Sequence, residues 1–150
     1  MTVGDICNRT VVIAPKTEAV VDAAKRMRMA HVGDLVIVEE RQGRHVPIGI
    51  VTDRDIVVSV VAGDPEHINY LSLDDMMSED LVTAKEQDSI ESALERMQER
   101  GVRRLPIVNG NGALVGILTM DDLFRHFTEQ QSQLVELMAS EQRRERQFRI

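Results

Sequence analysis

The chain contains two copies of one sequence unit, and this repeat constrains the fold more than any other feature. At an offset of 70 residues, the segment VVIAPKTEAVVDAAKRM (11–27) aligns with LVTAKEQDSIESALERM (81–97). Later in each copy, GIVTDRDI (49–56) aligns with GILTMDDL (116–123) at an offset of 67. The difference of three residues falls near the polar segment EERQGRHVPI, where a loop can change length without disturbing a core. The sequence therefore predicts two similar structural units that differ in one loop.

Each copy has the same order of predicted elements. A short β-rich stretch leads into a helix whose apolar residues recur at i, i+3, i+4 and i+7, as from Val20 to Met27. Two strands follow, and in the second copy the NGNG sequence between them is typical of a hairpin turn. A closing helix begins at Asp53 or Met120. Because one unit of about 55 residues is marginally stable alone, we predict a mixed α+β fold in which two βαββα repeats pack sheet to sheet about a pseudo-twofold axis.

The unit boundaries follow from changes in composition. We expect the first unit and its linker to span residues 3–69 and the second unit to span 73–127. The remaining segment, 128–150, is polar and has a thin apolar stripe from Leu134 to Met138. We predict a C-terminal helical tail that lies on the body or on a partner and frays through the charged sequence QRRERQFR.

The composition argues against several functional classes. A net charge of -7 disfavours broad nucleic-acid binding, and 3% aromatic residues without tryptophan leave no platform for base stacking. The longest apolar runs are far shorter than the roughly 20 residues that span a bilayer. The N-terminus lacks the pattern of a signal peptide, and Cys7 is the single cysteine. We therefore expect a cytoplasmic protein in a reducing compartment.

The sequence offers little support for catalysis. It contains no Gly-x-Ser-x-Gly elbow and no phosphate-binding GxxxxGK[ST] loop. Its four histidines do not have the spacing of metal ligands. We predict that the protein is not an enzyme, has no catalytic residues and no metal site, and requires no cofactor.

Both copies contain a Thr-x-x-Asp corner between the last strand and the closing helix, Thr52–Asp55 and Thr119–Asp122. A purely structural interpretation is a capping box, in which the two side chains satisfy free amides at a helix start. We expect more than a cap, because aspartate is shorter than the glutamate or glutamine that capping boxes prefer. A carboxylate at a helix N-terminus is also a suitable acceptor for the paired hydroxyls of a ribose. The residues alone leave both interpretations open.

The paired segments GIVTDRDIV and GVRRLPIV resemble the cystathionine-β-synthase (CBS) domain pair, also called the Bateman module. The resemblance covers residues 3 to about 127, and it is closest to small stand-alone bacterial proteins without a catalytic domain. It implies a regulatory, signalling protein that dimerises into a flat disc and passes a conformational change to an effector protein of unknown identity. It also implies clefts between the repeats that bind AMP, ADP, ATP, S-adenosylmethionine or NAD as regulatory ligands.

The resemblance also assigns residues to two clefts, each built from both repeats. The first cleft would use the corner Thr52–Asp55, with further contacts from Val82, Thr83 and Val102 and phosphate contacts from Arg54, Arg103 and Arg104. The second cleft would use Thr119, Asp122, Ile13, Ala14 and Val32. In place of the paired arginines the first copy has Gly33-Asp34, and in place of Arg54 the second copy has Asp121. We therefore expect the first cleft to prefer phosphorylated ligands, and the second to take an unphosphorylated adenosine moiety or to stay empty.

Two other functions compete with ligand sensing. One is a dimerisation scaffold that binds no ligand, and the other is binding of a partner or nucleic acid through the arginine-bearing tail. In either case we predict a homodimer, formed by helices around Val20–Met29, Val57–Val61, Ile90–Met97 and Leu123–Phe127.

Overall fold

A computed structural model describes residues 1–77 and 80–148 as two three-stranded sheets flanked by helices. In each sheet the first strand pairs in parallel with the second, and the second pairs antiparallel with the third. The first sheet contains β1 (Ile13–Pro15), β2 (Asp34–Arg41) and β3 (Arg44–Thr52), and the second contains β4 (Ala84–Lys85), β5 (Arg104–Val108) and β6 (Leu114–Thr119). The predicted pair of βαββα repeats is confirmed.

The helices differ more between the repeats than the strands do. The α-helices are α1 (Val3–Ile6), α2 (Val20–Ala30), α3 (Asp53–Asp55), α4 (Leu73–Met76), α5 (Ile90–Arg100) and α6 (Met120–Phe148). A π-helix, Ile56–Val61, directly continues α3, and a 3₁₀-helix, Pro65–Tyr70, lies in the linker. Helices α2 and α5 are equivalent, and each ends at a residue in the left-handed conformation, His31 or Gly101.

The closing helices diverge because their sequences have different helix propensities. The first copy continues with IVVSVVAGDP, whose β-branched valines disfavour an α-helix and whose glycine and proline end it. The second copy continues with strong helix formers, so α6 runs for 29 residues. It passes through most of the charged segment in which we predicted fraying and reaches Phe148, the last residue described in the chain.

Each repeat has its own apolar core, and a third cluster joins the two sheets. Leu35 and Ile37 of β2 are fully buried in the first core, and the equivalent Leu105 and Ile107 of β5 are fully buried in the second. Val36, Val38 and Ile117 form the cluster between the sheets, with Val11, Ile13, Ile50 and Leu114 packed around them. The sheets therefore pack face to face, and β-strand alternation explains this, since neighbouring residues of β2 face different cores.

Each short leading helix packs on the opposite repeat. Val3 of α1 is fully buried in the core of the second repeat, and its amide donates to the carbonyl of Asp88 at 2.9 Å. Leu73 of α4 is fully buried in the core of the first repeat, and its amide donates to the carbonyl of Glu18 at 2.9 Å. The two repeats thus exchange their first segments, which ties them together by backbone hydrogen bonds.

The tail of α6 projects from the body instead of lying on it. Leu134, Leu137 and Met138, the predicted apolar stripe, are each more than 60% exposed. Among the described residues of α6, only Leu123 and His126 are buried. Within residues 1–77 and 80–148, we find no helix with the length and apolar character needed to cross a membrane.

Candidate functional site

Two clefts lie between the repeats, and each contains one of the Thr-x-x-Asp corners. The Asp55 cleft has a volume of about 420 Å³ and the Asp122 cleft a volume of about 340 Å³. Both volumes lie within the range of roughly 300–1,000 Å³ that is usual for small-molecule sites. The Asp55 cleft is lined by Gly49, Ile50, Thr52, Arg54, Asp55, Asp80, Leu81, Val82, Gly101, Val102, Arg103 and Arg104. The Asp122 cleft is lined by Asn8, Thr10, Val11, Val12, Val32, Gly33, Asp34, Arg103, Arg104, Ile117, Thr119, Met120, Asp121 and Asp122.

Both corners form complete capping boxes. The amide of Thr52 donates to Oδ2 of Asp55 at 2.9 Å, and the amide of Asp55 donates to Oγ1 of Thr52 at 3.1 Å. The second corner repeats these bonds between Thr119 and Asp122 at 2.9 and 3.2 Å. The shorter aspartate therefore completes the box as well, so its length is no argument for a role beyond capping, and the capping role accounts for one oxygen of each carboxylate.

Related caps occur at two further helix starts, whose Ser/Thr-x-x-Asp sequences lie outside the two predicted corners. The amide of Thr2 donates to Oδ2 of Asp5 at 2.7 Å, and the amide of Ser72 donates to Oδ2 of Asp75 at 2.9 Å. The hydrogen bond from the backbone of Thr2 lowers the pKa of Asp5. None of these four residues lines either cleft. A Ser/Thr-x-x-Asp cap is therefore not by itself a site, and the clefts set Asp55 and Asp122 apart.

The second carboxylate oxygen differs between the two corners. Oδ1 of Asp122 lies 3.5 Å from a guanidinium nitrogen of Arg125, and the Asp122 side chain is only 11% exposed. Asp55 is exposed, and within residues 1–77 and 80–148 its Oδ1 has neither a hydrogen bond nor an ion pair. No described residue competes for this oxygen, so Asp55 can accept hydroxyl donors from a ligand while it caps the helix.

Extended segments just before β1 and β4 form one wall of each cleft. Residues 80–82 line the Asp55 cleft, and the equivalent residues 10–12 line the Asp122 cleft. The predicted Val82 lies in this wall, but the predicted Thr83, Ile13 and Ala14 are not among the lining residues.

The structure places these three residues outside the lining of the clefts. Ala14 is buried in the core of the first repeat, and Ile13 packs in the cluster between the sheets. The carbonyl of Thr83 accepts a hydrogen bond from Arg96 at 2.7 Å. The predicted Val102 and Val32 do line their respective clefts, at equivalent positions after α5 and α2.

Arg103 and Arg104 line both clefts, although the family resemblance assigned them to the first one. Arg54 lines the Asp55 cleft, whereas Asp34 and Asp121 line the Asp122 cleft. The Asp55 cleft therefore combines three arginines with two aspartates, and the Asp122 cleft combines two arginines with three aspartates. The Asp55 cleft is thus the more positive of the two, as expected. Because both clefts share Arg103 and Arg104, the difference in charge between them is smaller than expected.

The described residues offer no alternative chemical centre. In residues 1–77 and 80–148, no group of three or more histidine, cysteine, aspartate or glutamate side chains is arranged to hold a metal ion. Cys7 is half-buried, and burial raises the pKa of its thiol. A raised pKa reduces the thiolate fraction and thus the reactivity of the sulfur.

Comparisons with known proteins agree with this architecture. An uncharacterised protein of Methanopyrus kandleri is 38% identical over 125 residues, which cover 83% of this chain and 62% of that protein. This chain thus spans less than two thirds of the length of that relative. Hypoxic response protein 1 of Mycobacterium tuberculosis is 33% identical over 130 residues, which cover 85% of this chain and 86% of that protein.

Solved structures have the same fold. A structure of hypoxic response protein I with two coordinated zinc ions has a TM-score of 0.69 at 33% identity, and the match covers 84% of this chain and 98% of that one. The CBS domain protein of Pyrobaculum aerophilum complexed with AMP has a TM-score of 0.72 at 25% identity, with coverage of 82% and 90%. The CBS domain model matches residues 3–62 and 73–129, so this chain belongs to the CBS domain family.

Proposed function

We propose that this protein is a cytoplasmic, non-enzymatic regulator that binds adenosine-containing ligands in the clefts between its repeats. The ligands are AMP, ADP or ATP, with S-adenosylmethionine and NAD as further members of the class. Binding changes the arrangement of the repeats, and an effector protein responds to this change. The observation that carries the proposal is the Asp55 cleft, which three arginines also line and in which one carboxylate oxygen has no partner among the residues that the structure describes.

The chemistry of the Asp55 cleft suits an adenosine phosphate. Asp55 would accept the ribose hydroxyls, and Val82 and Val102 supply apolar surface for a base. Arg54, Arg103 and Arg104 would pair with phosphate oxygens, and each hydrogen bond to a charged group contributes roughly 1.5–3 kcal/mol. The AMP complex of the Pyrobaculum protein supports this ligand class.

One observation favours the competing scaffold function. Because both corners form complete caps, the aspartates have a structural reason to be present even without a ligand. The test must therefore separate loss of a cap from loss of a ligand contact. Asp75 provides the matched control, because it makes the same 2.9 Å bond to a backbone amide and lines neither cleft.

The experiment combines a thermal-shift panel with two variants. The unmodified protein is screened against adenosine, AMP, ADP, ATP, NAD and S-adenosylmethionine. A ligand present at 100 times its dissociation constant should stabilise the fold by about 2.7 kcal/mol. Asp55→Ala and Asp75→Ala should each lose about 1 kcal/mol of stability from the missing cap. We expect only Asp55→Ala to lose the ligand response. An equal response in both variants would show that Asp55 is only a cap, and no response of the unmodified protein to any compound would favour the scaffold.

We also propose that the protein is a homodimer. Val57, Val58 and Val61 of the π-helix are 50–56% exposed, and Phe124 and Phe127 of α6 are 62% and 42% exposed. Apolar side chains that cluster on the surface of a small protein mark an interaction site. A second copy would cover these two closing helices symmetrically, since a twofold dimer uses the same surface on both subunits. A monomer mass in light scattering at micromolar concentration would exclude this assembly.

A further inference from the structure

One ion pair connects the two repeats at the place where both clefts meet. Nε of Arg104, the first residue of β5, lies 2.6 Å from Oδ2 of Asp34, the first residue of β2. These residues occupy equivalent positions at the 70-residue offset, so the pair joins the two copies across their pseudo-twofold relation. The Arg104 and Asp34 side chains are 31% and 20% exposed, which limits the screening of their interaction by solvent.

The partners of this ion pair are distributed unequally between the clefts. Arg104 and its neighbour Arg103 line both clefts, whereas Asp34 lines only the Asp122 cleft. A ligand in either cleft therefore meets the same guanidinium groups. Asp34 lies on one side of them, together with Asp121 and Asp122.

Asp34 neutralises Arg104 without satisfying its hydrogen-bonding capacity. The Nε atom of Arg104 is buried, and within the part of the chain that the structure describes it has no hydrogen-bond partner, although it lies close to the Asp34 carboxylate. The pairing is thus one of charge and not of a well-directed N–H donor. A phosphate offers more negative charge and three acceptor oxygens, so it competes well for such a group.

We propose that Asp34 competes with the ligand phosphate for Arg104 and thereby couples the two clefts. When a phosphate in the Asp55 cleft draws Arg104 away, Asp34 is left unpaired in the Asp122 cleft. Its charge then repels a second phosphate but not an uncharged adenosine. Phosphorylated ligands therefore bind with negative cooperativity, and the favoured state holds a phosphorylated ligand in one cleft only. This inference rests on the proposed function and adds a selectivity device to the same site.

The test is isothermal titration calorimetry of the full chain with AMP and with adenosine. For each ligand, the measured quantity is the ratio of the second dissociation constant to the first. For the unmodified protein we expect this ratio to be about tenfold larger with AMP than with adenosine, and a tenfold coupling is within the usual range for two sites. Asp34→Asn should tighten the first AMP by about threefold to tenfold, because the asparagine no longer competes for Arg104. It should also reduce the additional weakening of the second AMP, since only the competition for the shared arginines then remains. Adenosine binding in the Asp55 cleft, which Asp34 does not line, should stay within twofold.

Two further variants make the result decisive. Asp74→Asn changes the net charge by the same amount at an exposed position that lines neither cleft, and it should leave the AMP binding curve unaltered. Arg104→Gln should make AMP bind more like adenosine in both clefts and abolish the coupling, which provides an independent test if Asp34→Asn does not fold. Unchanged AMP cooperativity in Asp34→Asn and Arg104→Gln would overturn the coupling while leaving the proposed function intact. Failure of every adenosine compound to bind the unmodified protein would overturn both.

Discussion

Gly116 and Gly49 occupy equivalent positions in β6 and β3 but have neighbours of different mobility. A Cβ atom at Gly116 would lie 2.8 Å from the sulfur of Cys7 and 2.9 Å from the backbone oxygen of Asn8. A Cβ atom at Gly49 would lie 2.6 and 2.8 Å from Cγ and Sδ of the Met77 side chain. All four distances are shorter than a normal contact, so a neighbour must move in either alanine variant.

The cost of that movement differs because Asn8 is fixed and Met77 is flexible. Two backbone hydrogen bonds of 2.9 Å hold Asn8 to Ile117, so relief at Gly116 requires a shift of the backbone. Overpacking of this kind costs roughly 1–3 kcal/mol. At Gly49 the methionine can change rotamer. Alanine also lowers the conformational entropy of the unfolded chain, which stabilises the folded state by about 0.4–1 kcal/mol. We expect Gly116→Ala to lose about 1–3 kcal/mol and Gly49→Ala to stay within about 1 kcal/mol of the unmodified protein.

Urea unfolding monitored by circular dichroism measures both free energies. Equal slopes for the three proteins would show that the midpoints report stability and not a change in the unfolded state. Because Asn8 also lines the Asp122 cleft, Gly116→Ala should perturb ligand binding there, whereas Gly49→Ala tests the Asp55 cleft. If Gly116→Ala is as stable as the unmodified protein, the leading segment does not pack against β6 as described.

Three further predictions concern the site, the assembly and the thiol. Changing both Arg103 and Arg104 to alanine should weaken AMP binding by roughly 2–4 kcal/mol in calorimetry and leave adenosine nearly unaffected, since only the phosphate contacts are lost; equal losses for both ligands would contradict this. Val58→Asp should shift the light-scattering mass from a dimer to a monomer, because it places a charge in the proposed interface; an unchanged dimer would move the interface elsewhere. Burial raises the pKa of Cys7, so the folded state keeps the thiol proton to higher pH than the unfolded state. The contribution of Cys7 to stability is therefore complete at pH values below the thiol pKa of the unfolded state and falls above it. Iodoacetamide at pH 8 should label the native chain more slowly than the urea-unfolded chain, and equal labelling rates would refute the assigned burial.

The repeat and its fold were predictable because the signals are periodic and occur twice. Apolar positions on α2 and α5 follow the same helical period, and the equivalent residues Leu35 and Leu105 are both fully buried. The exchange of α1 and α4 between repeats was not predictable. These four-residue helices are too short for a periodic pattern, and two similar repeats offer each of them two similar surfaces. Sequence similarity cannot distinguish between such surfaces.

The site was predictable at its corners and less so at its walls. Thr52, Asp55, Thr119 and Asp122 line the expected clefts, because strand and helix boundaries fix them locally. The cap geometry, by contrast, depends on distances of a few tenths of an ångström that residue type alone does not give. Arg104 is shared between the clefts because its long side chain pairs with Asp34 of the other copy. The direction of that side chain therefore depends on a contact between the repeats, which sequence patterns do not give.

Hydrogen exchange with and without AMP tests the central claim most directly, because it reports both repeats in one measurement. The claim is that a ligand in the Asp55 cleft contacts the two copies at once, through Asp55 on one side and Arg103 and Arg104 on the other. Asp75 in the matched cap lies outside the clefts and supplies an internal reference for unaffected helix starts. We predict that AMP slows exchange in residues 50–56 and in residues 102–108 and leaves the amides around Asp75 unchanged. Protection confined to one repeat, or no protection at a saturating AMP concentration, would contradict the account.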